Sequence, residues 1–507
     1  MANTKHQAFD WAQLLIPTAI FIGVILRFWG AAGRPIDGDE GLILSVASGS
    51  IGHVLATAAH DVHPPLFHLL TSLSLALFGV NRLALRLISI MAGIGVVSLA
   101  PALARRLKIN PVVTTFVITT APFLVYVSQD ARMYSLLMLL ALGSYLALMD
   151  AWDKPTEWQR WIVWGVSGLL LVLTHHLGWV ILASEGVATL LFARKSLAKL
   201  YHWLGAVGII LVGYWPVYLT TIHQFVGRLG EQATGAGLGE RATSFIGAAY
   251  RTFAGRTFLS LSPHNIIDLA RTNPLYFVAF LGTLAVPVVL FVLGAQWLYR
   301  RDNRTAWIWA TLAVIPIIVA AGVGSIAIQA SRYLSFLAPV VLSLVAVGLV
   351  AVYPRWWGKL LAIIFAGTVV AGLWTQIAVH DRAPGMNTYA AALRTSVQSN
   401  DIVVVRGSFG GGESTALAFE AKQAGFALPT VVDMFGDYSV GNLATLRAVA
   451  PATVVDQLLL DHSRVWFFDD TYEPTPLLGL DHADSVTTQS LGVDKEQQPL
   501  TLYRVTK

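Results

Sequence analysis

Leu66-Phe67-His68-Leu69-Leu70-Thr71-Ser72-Leu73-Ser74-Leu75-Ala76-Leu77-Phe78-Gly79-Val80 is apolar enough to suggest a membrane crossing and too polar and short to make one. A bilayer core asks for roughly twenty apolar residues, whereas this run is interrupted by His68, Thr71, Ser72 and Ser74. Counting it as a crossing would also invert every later loop and move Arg105, Arg106 and Lys108 to the outside, against the positive-inside bias. The run is therefore read as a helix lying along the outer membrane surface, and the rest of the topology follows.

Working outward from it, about eleven spans are expected. They fall near residues 12–30, 85–104, 111–128, 133–150, 161–175, 178–193, 203–222, 275–298, 307–328, 333–352 and 359–379. With a cytoplasmic N-terminus, the clusters Arg105/Arg106/Lys108, Lys154/Arg160, Arg194/Lys195/Lys199, Arg300/Arg301/Arg304 and Arg355/Lys359 all face the cytoplasm. The first apolar run has no small-residue cleavage site after it and reads as a retained helix. Two long outer loops, near 31–84 and 223–274, remain to carry function.

Composition agrees with a multi-pass protein of the plasma or inner membrane. Of the 507 residues 55% are hydrophobic and only 12% charged, and the mean hydropathy is +0.63. A net charge of +5 spread over short clusters makes no basic stripe for nucleic acid. The chain has no cysteine, so disulfides and thiolate metal sites are excluded. Beyond residue 379 the pattern becomes that of a soluble domain: strands near 401–405, 429–434 and 465–469 alternate with helices near 414–424 and 453–462, a βαβ-like order. The expected architecture is a mainly α membrane bundle over residues 1–379 with a small α/β domain over 380–507 on the extracytoplasmic side.

The candidate chemistry gathers in the outer loops. Asp37-Gly38-Asp39-Glu40 places three carboxylates in four residues just past the first span, suited to a general base or a cation site, although Asp-Gly is also ordinary turn chemistry. His60-Asp61-Val62-His63-Pro64-Pro65 enters the surface helix, and the paired prolines hold His63 in an extended lead-in where its ring could donate to phosphate. Ser128-Gln129-Asp130-Ala131-Arg132-Met133-Tyr134 and Gln329-Ala330-Ser331-Arg332-Tyr333 set an arginine at the outer mouth of the bundle, with the planar fork that suits phosphate. Snorkelling to lipid headgroups is the other role open to either arginine. His175 and His176 end the fifth expected span on the same side. The segment from Arg406 to Glu413 lacks the ending and spacing of a nucleotide loop and reads as a turn. Glu185, in mid-span, reads as an internal helix contact.

These elements, in this order, resemble the protein O-mannosyltransferase and aminoarabinose-transferase-like branch of the GT-C glycosyltransferases. The resemblance is carried by Asp39-Glu40, by His63-Pro64-Pro65-Leu66, by the run over residues 77–89 that ends in Arg86-Leu87-Ile88-Ser89, and by Ser128 to Tyr134. It is best over about residues 10–190, beyond which only Arg332-Tyr333 matches. It implies a polyprenyl-phosphate sugar donor, Asp39 acting on the acceptor hydroxyl with Glu40 and Asp37 in support, and donor phosphate held by His63, Arg132 and Arg332. Asp61, Gln129, Tyr134, Tyr333 and His175 are further candidate contacts to donor or acceptor. Family members often carry a lysine where His63 stands, so more of the phosphate charge would fall to the two arginines.

The expected activity is an inverting transfer of a hexose or pentose, mannose-like in the first instance, to a hydroxyl of an envelope glycan or lipid. Protein O-mannosylation is the alternative acceptor reading. No metal or cofactor is required by this chemistry, and a divalent cation on the acidic residues is left open. A lipid or solute transporter is the alternative of another class; intramembrane charges and repeated halves would mark it, and the charges here gather in the outer loops instead.

Overall fold

The computed structural model of the protein describes residues 11–60, 63–192, 196–231, 238–254, 270–323, 330–378, 385–407, 412–434, 451–470, 477, 480–493 and 499–507. The described chain forms two compact units. One comprises residues 1–29, 89–129 and 133–376; the other comprises 30–88, 130–132 and 377–507. These units do not follow the expected boundary at residue 379, because the segment over residues 30–88 groups with the C-terminal domain.

The first unit is a helix bundle. It contains α1 (Ala12–Phe28), most of α5 (Arg82–Leu107), α6 (Pro111–Thr120), α7 (Pro122–Ser128), α8 (Tyr134–Asp153), α9 (Trp158–Thr174), α10 (Leu177–Phe192), α11 (Leu197–Glu231), α12 (Leu238–Ala254), α13 (Pro274–Arg301), α14 (Asn303–Gly322), the single turn α15 (Ala330–Tyr333), α16 (Ala338–Val352) and α17 (Trp356–Ala378). Among the described residues seven helices are long and apolar enough to cross a membrane, or eight if α6 and α7, bent by 58°, are one span. The bend falls where Pro122 removes a backbone donor.

The expected count of about eleven is not reached by length and composition. The helices over three of the expected spans, α1, α9 and α10, have 17, 17 and 16 residues. At 1.5 Å per residue these reach only about 25 Å, short of a hydrocarbon core of about 30 Å.

Basic span ends gather at one end of this unit. Arg106 of α5 bridges Asp150 at 2.5 Å and also pairs with Asp153, both on α8; Arg160 of α9 pairs with Asp150; and Lys108 reaches Asp302 at 2.6 Å. Glu185 of α10 lies wholly buried, and its Oε2 accepts from Ser144 Oγ of α8 at 3.0 Å and from Trp164 Nε1 of α9 at 2.9 Å. It ties three helices together, as expected of an internal contact.

The second unit holds α2 (Gly38–Ala47), α3 (Ile51–His60) and α4 (Leu66–Phe78), together with α18 (Met386–Ser396), α19 (Gly412–Gln423), α20 (Pro451–Asp461) and a five-stranded sheet. The strands are β1 (Ile402–Gly407), β2 (Thr430–Asp433), β3 (Arg464–Asp470), β4 (Ser485–Val493) and β5 (Pro499–Thr506), in the order β2-β1-β3-β5-β4. β1 pairs in parallel with β2 and β3, while β5 pairs antiparallel with β3 and β4. The central run Ile402–Val405 is buried throughout, as a strand covered on both faces must be. One face packs Val404, Phe467 and Val505 against Val455 and Leu459 of α20; on the other, Tyr389 of α18 stacks on Phe468 at 4.2 Å.

Helix α4 is the run that decided the topology. It is 13 residues long and buries Phe67, His68, Thr71 and Ser74, while Leu73, Leu77 and Phe78 stand exposed. Most of its polar groups thus face protein while its apolar edge is exposed.

Candidate functional site

Local sequence dictates how the acidic segment is held. Asp37, in extended conformation, caps α2 by accepting from the Glu40 N–H at 2.9 Å. This sets Asp39 and Glu40 in the first helical turn, where carboxylates are favoured by the helix dipole. The two then diverge. Glu40 is 1% exposed and Asp39 24%.

Arg86 of α5 is the reason Glu40 can be ionised when buried. Its Nε and Nη2 donate to the two Glu40 oxygens at 2.7 and 2.5 Å. Its Nη1 donates to the carbonyls of Ala31 and Arg34 and its Nη2 to that of Pro35, so all five N–H groups of this fully buried guanidinium are satisfied. Glu40 Oε1 also accepts the Ala131 N–H at 3.0 Å and lies 3.5 Å from Arg34 Nη2. Burial pushes the Glu40 carboxyl up, and the Arg86 charge and hydrogen bonds, aided by Arg34, bring it below the usual carboxylate range. Glu40 is thus a structural anion that fixes the loop around residues 31–35 and the turn at 130–132.

That turn supplies the neighbouring groups. Arg132, 7% exposed, donates from Nη1 to the Asp39 carbonyl at 3.3 Å and lies 3.6 Å from Asp39 Oδ1. Asp130, 6% exposed, brings a carboxylate into a group with Asp37 and Glu40 whose oxygens lie within 4.8 Å of one another. These are the residues that could hold a cation. Glu40 is already neutralised by Arg86 and one Asp37 oxygen serves the helix cap, which reduces what this trio offers to a metal. His63 is buried in the same unit, whereas Asp61 lies outside the described residues.

The C-terminal domain takes part in this scaffold. Glu420 of α19 accepts from the Ile36 N–H at 3.0 Å and from Arg82 Nε and Nη2 at 3.2 and 2.5 Å. A Cβ on Gly41 would come within 1.9 Å of the Gly412 carbonyl, and one on Gly412 within 2.0 Å of the Gly38 carbonyl, so α2 and α19 touch backbone to backbone. Glu413 is packed against Gly38. Gly41→Val is expected to force the helices apart and lower stability by about 1–3 kcal/mol, read as a lower melting temperature and faster proteolysis within residues 30–60. An unchanged protein would show that α2 and α19 do not pack this way.

The remaining candidates lie in the bundle unit. Tyr134, His175 and Tyr333 form an aromatic triangle with ring centroids 6.0, 6.1 and 5.5 Å apart. His175 Nδ1 accepts the Leu177 N–H at 3.1 Å, and Arg332 is half-buried beside Tyr333 in α15. Gln129 is placed as a staple: its Nε2 donates to the carbonyls of Leu26 and Trp29 at 3.0 and 2.7 Å, serving the orphan end of α1, and Gln376 reaches its Oε1 at 3.5 Å. The structure thus brings Asp37, Asp39, Glu40 and Arg132 together in one unit and Tyr134, His175 and Tyr333 together in the other.

Arg86, Asp130, Arg82 and Glu420 were not assigned roles by the sequence. Arg86 and Asp130 stood inside segments quoted for the resemblance, which was the available signal; nothing in the sequence marks Glu420.

Comparison with known proteins bears on what this scaffold is. Residues 62–219 match the family described as Dolichyl-phosphate-mannose-protein mannosyltransferase. An uncharacterized protein of Aquifex aeolicus is 28% identical over 169 residues, which is 32% of this chain and only about a third, 33%, of that protein's length. In fold the chain is similar to ArnT from Cupriavidus metallidurans in the apo state, with a TM-score of 0.59 and 12% identity over 97% of both chains. It is also similar to that protein bound to undecaprenyl phosphate, with a TM-score of 0.58 and 14% identity over 97% of this chain and 98% of the other. The archaeal oligosaccharyltransferase AglB from Archaeoglobus fulgidus, in complex with an inhibitory peptide and a dolichol-phosphate, gives a TM-score of 0.51 at 12% identity over 90% of this chain and 69% of that one. The chain therefore shares its fold with these ArnT and AglB structures, and its residues 62–219 carry the match to the mannosyltransferase family.

Proposed function

We propose that the protein is an inverting glycosyltransferase that moves a sugar from a polyprenyl-phosphate carrier to a hydroxyl acceptor at the extracytoplasmic face, with Asp39 as general base. The observation that carries this reading is the division of labour in the acidic segment. Glu40 is locked to Arg86 and Asp37 caps the helix, while Asp39 keeps 24% exposure beside Arg132. An acid–base group needs access and a fixed position, and Asp39 has both.

In the proposed reaction the acceptor oxygen attacks the anomeric carbon as its proton passes to Asp39. The anomeric carbon–oxygen bond to phosphate breaks, and its electron pair leaves on the phosphate oxygen. Arg132, with His63 as a further candidate in the same unit, would stabilise that charge. One displacement inverts the anomeric centre. Support comes from the matched segment and from the names of the fold relatives, whose structures hold undecaprenyl phosphate or a dolichol-phosphate. A mannose-like sugar and an envelope glycan or lipid acceptor are the finer expectation, and a protein acceptor the second reading.

The test is transfer by purified protein in nanodiscs, offered polyprenyl-phosphate hexoses and pentoses with glycan, lipid and peptide acceptors, with and without chelator. Transfer from at least one carrier-linked sugar, unaffected by chelator, is expected. Folded protein that transfers nothing across the panel would move the transporter reading ahead. Chelator-sensitive transfer restored by Mg²⁺ or Mn²⁺ would instead assign the Asp37/Glu40/Asp130 group to a cation.

A further inference from the structure

At the end of the bundle where the basic span ends gather lies a cavity of about 220 Å³, distinct from the acidic site. Lys108, Asn110, Trp297 and Arg301 form its polar and aromatic rim, and Val347 and Val350 of α16 part of its apolar wall. The cavity sits beside the α13–α16 contact, where a Cβ on Gly294 would meet the Leu344 carbonyl at 1.9 Å. That close approach of two backbones leaves the flanking side chains to shape a hollow.

Two features of the rim are not explained by packing. Lys108 adopts a left-handed conformation, φ 57°, immediately after α5. Its N–H donates to the Arg105 carbonyl at 3.1 Å and the next N–H, of Ile109, to that of Ala104 at 3.0 Å, a helix-terminating turn in which glycine is the unstrained residue. A lysine there is a backbone strain retained for its ammonium, and strain of this kind gathers at binding sites. The ammonium is held by Asp302 at 2.6 Å; that hydrogen bond, with the Thr305 N–H, keeps the Asp302 carboxyl down at about 2. Arg301, by contrast, has no carboxylate partner among the described residues. Its guanidinium stacks over Trp297, 4.9 Å from the ring centroid, which fixes the plane and leaves the donor edge for a ligand.

We propose that this cavity is a binding site for the headgroup phosphate of an anionic phospholipid in the leaflet on the basic side of the bundle. Lys108 and Asp302 together contribute no net charge, so Arg301 leaves the rim one positive charge in excess, which matches one phosphodiester. Val350 is 44% exposed and continues the wall outward as a track for an acyl chain. Trp297 has the amphipathic ring favoured at headgroup depth. The N-terminus of α6 is not the anchor, because Asn110 Oδ1 already accepts from the N–H groups of Val112 and Val113. The site is independent of the glycosyl-transfer reading and requires only that the helices span a membrane.

The experiment is a melting curve of the full chain in detergent, titrated with phosphatidylglycerol, with phosphatidylcholine, and separately with inorganic phosphate. Phosphatidylglycerol alone should raise the melting temperature, with apparent affinity falling about fivefold in Arg301→Gln for the one charge removed. Lys108→Gln, which removes the ammonium, should weaken the lipid effect likewise. Equal stabilisation by phosphatidylcholine, or an undiminished lipid effect in Arg301→Gln or in Lys108→Gln, would each overturn the proposal. Stabilisation by inorganic phosphate alone would show a free-anion site instead of a lipid site.

Discussion

Asp39→Asn is expected to lower sugar transfer by about 10²–10⁴-fold, the range of general-base catalysis, without lowering the melting temperature. The asparagine is isosteric, and it keeps the Asp39 carbonyl that accepts from Arg132. What it loses is the capacity to take the acceptor's proton. The decisive comparison is of kcat with KM: the loss should fall on kcat, with KM for the carrier-linked donor little changed, as for a group that acts only in the transition state. Full activity in Asp39→Asn would remove Asp39 as the base and turn attention to Asp130, the other carboxylate brought to the turn at 130–132.

Arg86→Ala is expected to produce the largest loss of stability, on the order of 3–5 kcal/mol, because it strands a buried carboxylate. It also deprives the carbonyls of Ala31, Arg34 and Pro35 of their donor. The pH dependence should change sign. In the native protein the Glu40 carboxyl is held below its ordinary value. Its contribution is therefore fully present above the unfolded carboxylate pKa, about 4.3, and is lost as pH falls below that through the folded value. Without Arg86, burial outweighs the remaining Arg34 charge and the Ala131 N–H and raises the carboxyl, so the variant should lose stability as pH rises above the ordinary carboxylate pKa. Pairing it as Glu40→Gln/Arg86→Leu should recover part of the loss, since replacing both partners leaves no uncompensated charge. A melting temperature of Arg86→Ala equal to that of the parent, with the same pH profile, would show that this ion pair does not hold the loop.

The sequence presents Asp39 and Glu40 as equivalent neighbouring acids. Asp39 and Glu40 are consecutive, yet one should matter for rate and the other for folding. Activity loss without stability loss at Glu40→Gln would contradict that division.

Much of the architecture was legible in the chain. Burial in lipid forces the backbone to satisfy itself within each helix, so an apolar run announces its element without help from the rest of the fold. The membrane class, a short helix at residues 66–78 and the β1-α19-β2 and α20-β3 order of the C-terminal domain followed from the pattern of apolar runs. Strands β4 and β5 were not expected because Ser485–Val493 is polar and mostly exposed and Pro499–Thr506 alternates weakly; they are strands because β3 offers an edge to β5 and β5 offers one to β4. Length and composition do not by themselves reach the expected span count, for a related reason. Helices of 16 or 17 residues are defined by their neighbours as much as by their own length.

The sequence alone determined which residue types cluster beside the apolar runs: three acids after the first helix, Arg132 and Arg332 at the ends of apolar runs, histidine and proline before the helix at residues 66–78. Only the tertiary structure decided their partners. Whether a carboxylate is a base or an anchor depends on what lies within hydrogen-bonding reach, and the partners here come from far along the chain: Arg86 to Glu40, Arg132 to Asp39, Glu420 to Ile36 and Arg82. Coulomb and desolvation energies fall off over a few ångströms of space and are indifferent to separation in sequence, so no local pattern could have assigned them.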